Sequence, residues 1–333
     1  MGPEKRRKEK EIDSGNPNPD TGGCVSTEKE NLSSQVGSAR PHVVVLGEVL
    51  WDLFEHSRRL GGAPLNFGVH ARRLGHPVTL ISALGADEPG EQAAGMIDAL
   101  DLDTRFLQRT SRFPTGTAQV RIGHGGVTQF TIPRPAAYDA VDLSARDLDL
   151  LEQCAAGWLY FGTLFASTDT GNNVLHQILR ASIEAARFYD LNLRPGFDSP
   201  ELVRELLLSA DVVKLNEEEL QRVHELSGLP LNIEAFCREG SARYGWQAVG
   251  VTLGDRGCAI LAGGHYVEAA VHRVDVVDTV GAGDAFAAAF MHGLSLNWPA
   301  AEIASFANRV GALVASRHGA IPDWTLEEAV KLA

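Results

Sequence analysis

From Pro41 onward, short runs of consecutive apolar residues alternate with longer stretches whose apolar residues recur every three to four positions. The short runs are Val43–Leu46, Thr79–Ala83, Trp158–Phe161, Phe188–Asp190, Val212–Leu215 and Val249–Leu253. Apolar residues follow one another directly in them, as in strands buried on both faces. Pro64–Leu74, Glu88–Leu100, Asn173–Ala186, Pro200–Ser209 and Glu217–Leu226 read as the intervening helices, and a further apolar helix spans Ala285–Leu296. Strand alternating with helix predicts βαβ units, hence a mostly parallel sheet covered on both faces. Ligands of such sheets bind beyond the C-terminal ends of the strands.

One segment breaks the alternation. Thr117–Ile122 and Thr128–Ile132, joined through Gly123-His124-Gly125-Gly126-Val127, read as a β-hairpin. A hairpin inserted into an α/β fold needs a surface to cover it, although a plain surface hairpin is the simpler reading. Trp51–Arg59 is expected to add another strand of the same small sheet, or its hinge. Residues 1–40 are of another kind. Glu4–Lys10 is dense in charge, and Ser, Gly, Asn and Pro follow with few aromatic or branched residues. Too little apolar area is available there to offset the entropy of ordering, so a disordered tail is expected before a folded domain at 41–333.

Composition narrows the function. The 333 residues suffice for one large α/β domain. No run approaches the roughly 20 apolar residues of a membrane span. The four cysteines show no Cys-x-x-Cys spacing, which speaks against a zinc site or disulfide framework and fits a cytoplasmic protein. A net charge of −13 speaks against a nucleic-acid partner. None of the six lysines follows a glycine, so no Walker P-loop is present. Gly47-Glu48-Val49-Leu50 follows the first strand in place of Gly-x-Gly-x-x-Gly, which excludes a Rossmann dinucleotide site.

The most informative string is Val277-Asp278-Thr279-Val280-Gly281-Ala282-Gly283-Asp284-Ala285-Phe286. Small residues at a helix start let the backbone approach a ligand, and unpaired N–H groups there favour an anion. Asp284 is then an N-cap or a base beside that anion. The whole string resembles the C-terminal signature of the ribokinase-like (PfkB) carbohydrate kinases. Leu60-Gly61-Gly62-Ala63-Pro64-Leu65-Asn66 resembles the N-terminal signature of the same family. Tyr189-Asp190-Leu191-Asn192-Leu193-Arg194-Pro195, Asn216-Glu217-Glu218-Glu219 and Thr252-Leu253-Gly254-Asp255-Arg256-Gly257 resemble further segments of it.

The resemblance covers about residues 42–323. It implies a three-layer αβα sandwich with a small β-sheet lid, formed here by segments near 50–62 and 113–132, through which members can dimerise. It implies catalysis by Asp284 with Gly281, Ala282 and Gly283 as an anion cradle. Asp52, Gly61, Gly62, Asn66, Asn192 and Arg194 would bind the sugar. Read from the residues alone, Arg194 could pair with a phosphate or with an anionic substrate, or form a structural ion pair with Asp190 or Asp198. Asn216, Thr252, Gly254, Asp255, Gly257 and Asn308 would bind ATP. Glu219 would act on magnesium through water, whereas Glu217 and Glu218 need no more than the helix dipole to explain them. Asp278 and the Val280 carbonyl lie where some members hold a monovalent cation such as potassium. The motifs point first to fructose, giving fructose 6-phosphate. Ribose, 2-keto-3-deoxygluconate, a nucleoside and a non-catalytic binding role are the alternatives.

Overall fold

In the computed structural model, which describes residue 2, residues 40–122 and residues 128–332, the first apolar run is strand β1 (Val43–Leu46), every residue of it fully buried. Val43 and Val45 enter one apolar cluster; Val44 and Leu46 enter another. That division is the period of two of a strand covered on both sides.

The other strands are β2 (Leu50–Leu53), β3 (Arg58–Gly61), β4 (Val78–Gly85), β5 (Asp103–Thr110), β6 (Gly116–Ile122), β7 (Thr128–Thr131), β8 (Trp158–Gly162), β9 (Ala186–Asp190), β10 (Val212–Asn216), β11 (Ala248–Thr252), β12 (Cys258–Ala262) and β13 (His265–Ala269). The helices are α1 (Ala63–Arg73), α2 (Glu88–Asp98), α3 (Ala145–Gln153), α4 (Thr163–Ala166), α5 (Asp169–Ala181), α6 (Pro200–Ser209), α7 (Glu217–Ser227), α8 (Ile233–Tyr244), α9 (Ala282–Ser295), α10 (Ala300–Ala315) and α11 (Leu326–Lys331).

Nine strands form one sheet in the order β13-β12-β11-β10-β9-β8-β1-β4-β5. Every pairing from β11 to β5 is parallel, and β12 and β13 are added antiparallel at one edge. Helices α1, α2, α9, α10 and α11 bury apolar residues on one face; α3, α5, α6, α7 and α8 do so on the other. This is the three-layer αβα sandwich. A second sheet, β3-β2-β6-β7, stands apart from it. No helix among the described residues is long and apolar enough to cross a membrane.

Several boundaries differ from the sequence reading. Trp51–Arg59 supplies parts of two antiparallel strands, β2 and β3, rather than one strand or a hinge. The helix expected at Asn173–Ala186 runs Asp169–Ala181, because the Thr168 side chain caps it by accepting from the Gly171 N–H. Ala186 belongs instead to β9. Strands β5, β12 and β13 are additional; β5 and β13, with alternating polar residues, are the sheet's two edges, which explains why they carry no continuous apolar run. The glycine-rich turn Gly123–Val127 and residues 3–39 of the expected tail lie outside the described residues.

The C-terminal segment is fastened to α1 by a buried histidine. His70 Nε2 donates to the Ala320 carbonyl (2.9 Å), and Trp324 Nε1 donates to His70 Nδ1 (3.0 Å). The second bond requires the neutral ring, because a protonated Nδ1 cannot accept; burial holds the pKa down at about 3, against the Ala320 carbonyl, which favours the charged form. A depressed folded value means stability that is present above the unfolded value of about 6.5 and lost as pH falls toward 3. Buried carboxyls with raised values act in the opposite sense, so the test is a comparison. The acid slope of unfolding free energy should be shallower in His70→Gln, by up to about 1.4 kcal/mol per pH unit below 6.5. Identical slopes in chemical denaturation would show that His70 does not carry this effect.

Candidate active site

Helix α9 begins at Gly281, whose φ of 80° is left-handed and whose added Cβ would lie 2.5 Å from the Ala320 Cα and carbonyl oxygen. No side chain caps this start. The Ala285 N–H is the first to close the helix, onto the Gly281 carbonyl at 2.9 Å. The Ala282 N–H is drawn back to the Thr279 carbonyl at 3.3 Å, so the cradle rests chiefly on the amides of Gly283 and Asp284.

Two cavities meet at this helix start. The larger, about 670 Å³, takes Val271, Val274, Val276, Phe286, Ala312 and Ala315 from the chain after β13 and from α9 and α10. The smaller, about 280 Å³, is polar and lies at the C-terminal ends of the strands, under β2 and β6 of the small sheet. Thr252, Thr279 and Gly283 line both. A group held in the larger cavity and one held in the smaller therefore face each other across Gly283 and Asp284.

Asp284 opens onto the smaller cavity and is otherwise enclosed by protein. Asn66 Nδ2, on α1, donates to its Oδ2 at 2.8 Å. Burial, and then the charge of Asp190, raise its pKa to about 7, against the pull of Asn66, Lys214 and Arg194. Asp52, at 6% exposure, is likewise pushed up to about 6 by burial, with Arg194 and Arg59 opposing.

Most of the expected residues are brought together. Asp52, Gly62, Asn66, Asn192, Arg194, Asn216, Val280, Gly281 and Asp284 line the smaller cavity. Gly254, Asp255, Gly257, Ala282 and Asn308 line the larger. Asn192 adopts a left-handed backbone (φ 42°), which asparagine tolerates better than most residues. The Asn308 amide is engaged by the carbonyls of Ala269 and Ala270 (3.1 and 3.2 Å), tying α10 to the end of β13.

Three expected residues stand behind the walls. Gly61 leaves room for Asp52, whose Oδ2 would be 2.5 Å from a Cβ there. Glu219 accepts from the backbone N–H groups of Asn216 and Leu193, both at 2.8 Å, and so fixes the loop after β9 to the start of α7. Asp278 accepts from the Val280 and Gly319 N–H groups (3.1 Å each) and pairs with Arg59 of β3. Of the two acids that might have claimed Arg194, Asp190 pairs with Lys214 and Asp198 with Arg222.

The chain matches the description "pfkB family carbohydrate kinase" over residues 41–326. It belongs to that family. This PfkB-family kinase is 28% identical over 321 residues to probable fructokinase-2 of Arabidopsis thaliana, covering 87% of this chain and 95% of the relative. It is 30% identical over 298 residues to the fructokinase of Escherichia coli, covering 84% and 94%. Its fold matches the fructokinase of Xylella fastidiosa with bound ATP at a TM-score of 0.75, 24% identity and coverage of 87% and 97%.

Two lining residues of the kinase escape the motifs. Lys214, 6% exposed, lies inside an otherwise apolar strand, and its Nζ is 3.4 Å from where a Gly283 Cβ would stand. Glu48 follows β1 after Gly47. The signal for Lys214 was a charge interrupting a run that is buried on both faces, where only a paired charge is tolerated.

The glycines of the cradle should separate by experiment. Gly281→Ala forces a left-handed alanine against Ala320 and should lower the melting temperature by several degrees. Gly283→Ala meets only ordinary contact and should melt like the native protein, yet lose at least about tenfold in kcat/KM by crowding the shared wall. Equal melting of both variants would refute the distinction.

Proposed function

We propose that this kinase transfers the γ-phosphate of ATP to a primary hydroxyl of a sugar, fructose first, giving fructose 6-phosphate, with Asp284 as the base. The observation that carries this reading is the meeting of a nucleotide-sized cavity and a small polar one at an uncapped helix start that carries an aspartate. The apolar side chains of the larger cavity suit a flat base, and Gly254, Asp255 and Gly257 stand beside it. No aromatic ring lines the smaller cavity among the described residues, which favours a sugar over a nucleoside.

In the proposed step the Asp284 carboxylate takes the hydroxyl proton as that oxygen attacks the γ-phosphorus. The bond to the β,γ-bridging oxygen breaks, and ADP leaves with the electron pair. The amides of Gly283 and Asp284 face the charge that develops, and the Lys214 ammonium lies beneath them. Arg194 at the cavity wall offers a second cation. The small sheet closes the sugar side and limits the access of water.

Magnesium, carried on the nucleotide phosphates and reached from Glu219 through water, would neutralise phosphate charge. Magnesium prefers phosphate oxygens and retained waters to an all-protein cage. Potassium would compete with Arg59 for Asp278. Stimulation by added potassium would mean that Arg59 releases that carboxylate.

The test is ATP-dependent phosphorylation of fructose, ribose, 2-keto-3-deoxygluconate and adenosine, coupled to ADP release. Fructose should give the highest kcat/KM. Asp284→Asn should lower kcat by about 10²–10⁴ while the protein still binds nucleotide. Preference for another panel member moves the substrate; no turnover with any of them removes the kinase reading of this site. The pH profile supplies a separate check. A base with a pKa near 7 is active only when deprotonated, so kcat/KM should fall about tenfold per unit below about pH 7 and level off above it. A flat profile between pH 5.5 and 8 would exclude Asp284 as the titrating base.

A further inference from the structure

Among the described residues, Glu48 is the one carboxylate on the wall of the smaller cavity that neither the motifs nor the proposed chemistry uses. It lies two residues beyond β1, is 5% exposed, and its Oε2 is buried without a hydrogen-bond partner among the described residues. Its own backbone N–H holds the carboxylate locally. An acceptor shut off from water and lacking a donor is destabilising, and such groups persist mainly where a ligand completes them. The Oδ1 of Asn66, on the same wall, is a second buried acceptor without a donor. Two unanswered acceptors on residues that line one cavity suit a ligand rich in O–H donors.

The position of Glu48 is fixed from behind. A Cβ on Gly62 would lie 2.4 Å from the Glu48 carbonyl oxygen, so the start of α1 is pressed against this backbone and the residue cannot retreat. The charges of the cavity point the same way. Glu48, Asp52 and Asp284 face it, with Arg194 as the opposing cation. The charge of Lys214 is already matched by Asp190 at 3.1 Å. The wall therefore carries an excess of acid, which suits an uncharged polyol and repels a second carboxylate.

We propose that Glu48 accepts a hydrogen bond from a substrate hydroxyl other than the one phosphorylated, and that its charge selects uncharged sugars against carboxylated ones. This rests on the sugar-kinase reading of the same cavity and narrows its substrate class. Glu48 acts here as a specificity residue that touches the sugar, and it takes no part in the proton transfer.

The experiment compares native protein, Glu48→Gln and Glu48→Asp at pH 8, with fructose and 2-keto-3-deoxygluconate as probes. Sugar affinity is read by calorimetry, kcat/KM by ADP release and folding by thermal melting without ligand. Glu48→Gln should melt no lower than native, because an unanswered buried carboxylate has been removed. It should bind fructose about 10–100-fold more weakly, and its preference for fructose over 2-keto-3-deoxygluconate should shrink at least tenfold. Glu48→Asp should lose the fructose contact yet still exclude the acid sugar. Should Glu48→Gln fail to fold, Glu48→Asp with monodeoxy fructoses decides: the penalty for one missing hydroxyl should disappear in the variant. Unchanged fructose affinity together with an unchanged preference overturns the proposal, as does a native preference for the carboxylated sugar, which leaves the kinase reading standing. No phosphorylation of any sugar by the native protein removes the kinase reading itself, and the proposal with it.

Discussion

The site rests on one buried ion pair. Asp190 ends β9 and is fully buried; Lys214 lies on β10, and the parallel register of the two strands sets them opposite each other. Either charge alone would cost several kcal/mol to keep out of water. Together, with the Tyr160 hydroxyl donating to Asp190 at 3.2 Å, they form a charged floor. Asp190 pushes the Asp284 pKa up and Lys214 pulls it down, so the carboxyl above them responds to both. Lys214 in turn is held charged by Asp190, Glu219 and Asp284, which together outweigh its burial. The register of two strands thereby sets the electrostatics of a residue on a helix distant in sequence.

What the sequence reveals follows from how local each signal is. The strand runs were legible because burial on both faces leaves few polar positions in them. Glycine-rich helix starts were legible because backbone conformation and close approach restrict the residue type on the spot. Edge strands such as Asp103–Thr110 were not, since their alternation of polar and apolar residues is shared with irregular segments. Glu48 and Lys214 were missed for a different reason. The meaning of a lone charge within a strand or just after one comes from neighbours supplied by other strands. The same holds for Arg59, whose partner Asp278 is 219 positions away.

Three carboxyls, Glu48, Asp52 and Asp284, are kept in surroundings that disfavour their charge. Such groups weaken the apo fold, and the two apolar layers bear that burden. Burial disfavours the charge of Glu219 as well, yet Lys214 and two backbone donors oppose it, and the acid clamps two loops. Burial alone therefore does not say what a carboxylate does.

The ion pair between Arg59 and Asp278 links the small sheet to the loop that leads into α9. The arginine side chain is 37% exposed and the aspartate 14%, so solvent reaches the pair from one side. Its static contribution is about 0–1 kcal/mol. Its position matters more than its strength. Because β3 also carries Gly61 at its end, moving that strand would strain the tether and the wall of the smaller cavity together. Dissolved salt weakens partly exposed charges over roughly 10 Å at 0.1 M. Ionic strength therefore acts on a link that joins β3 to the approach of α9, at a point that lines neither cavity.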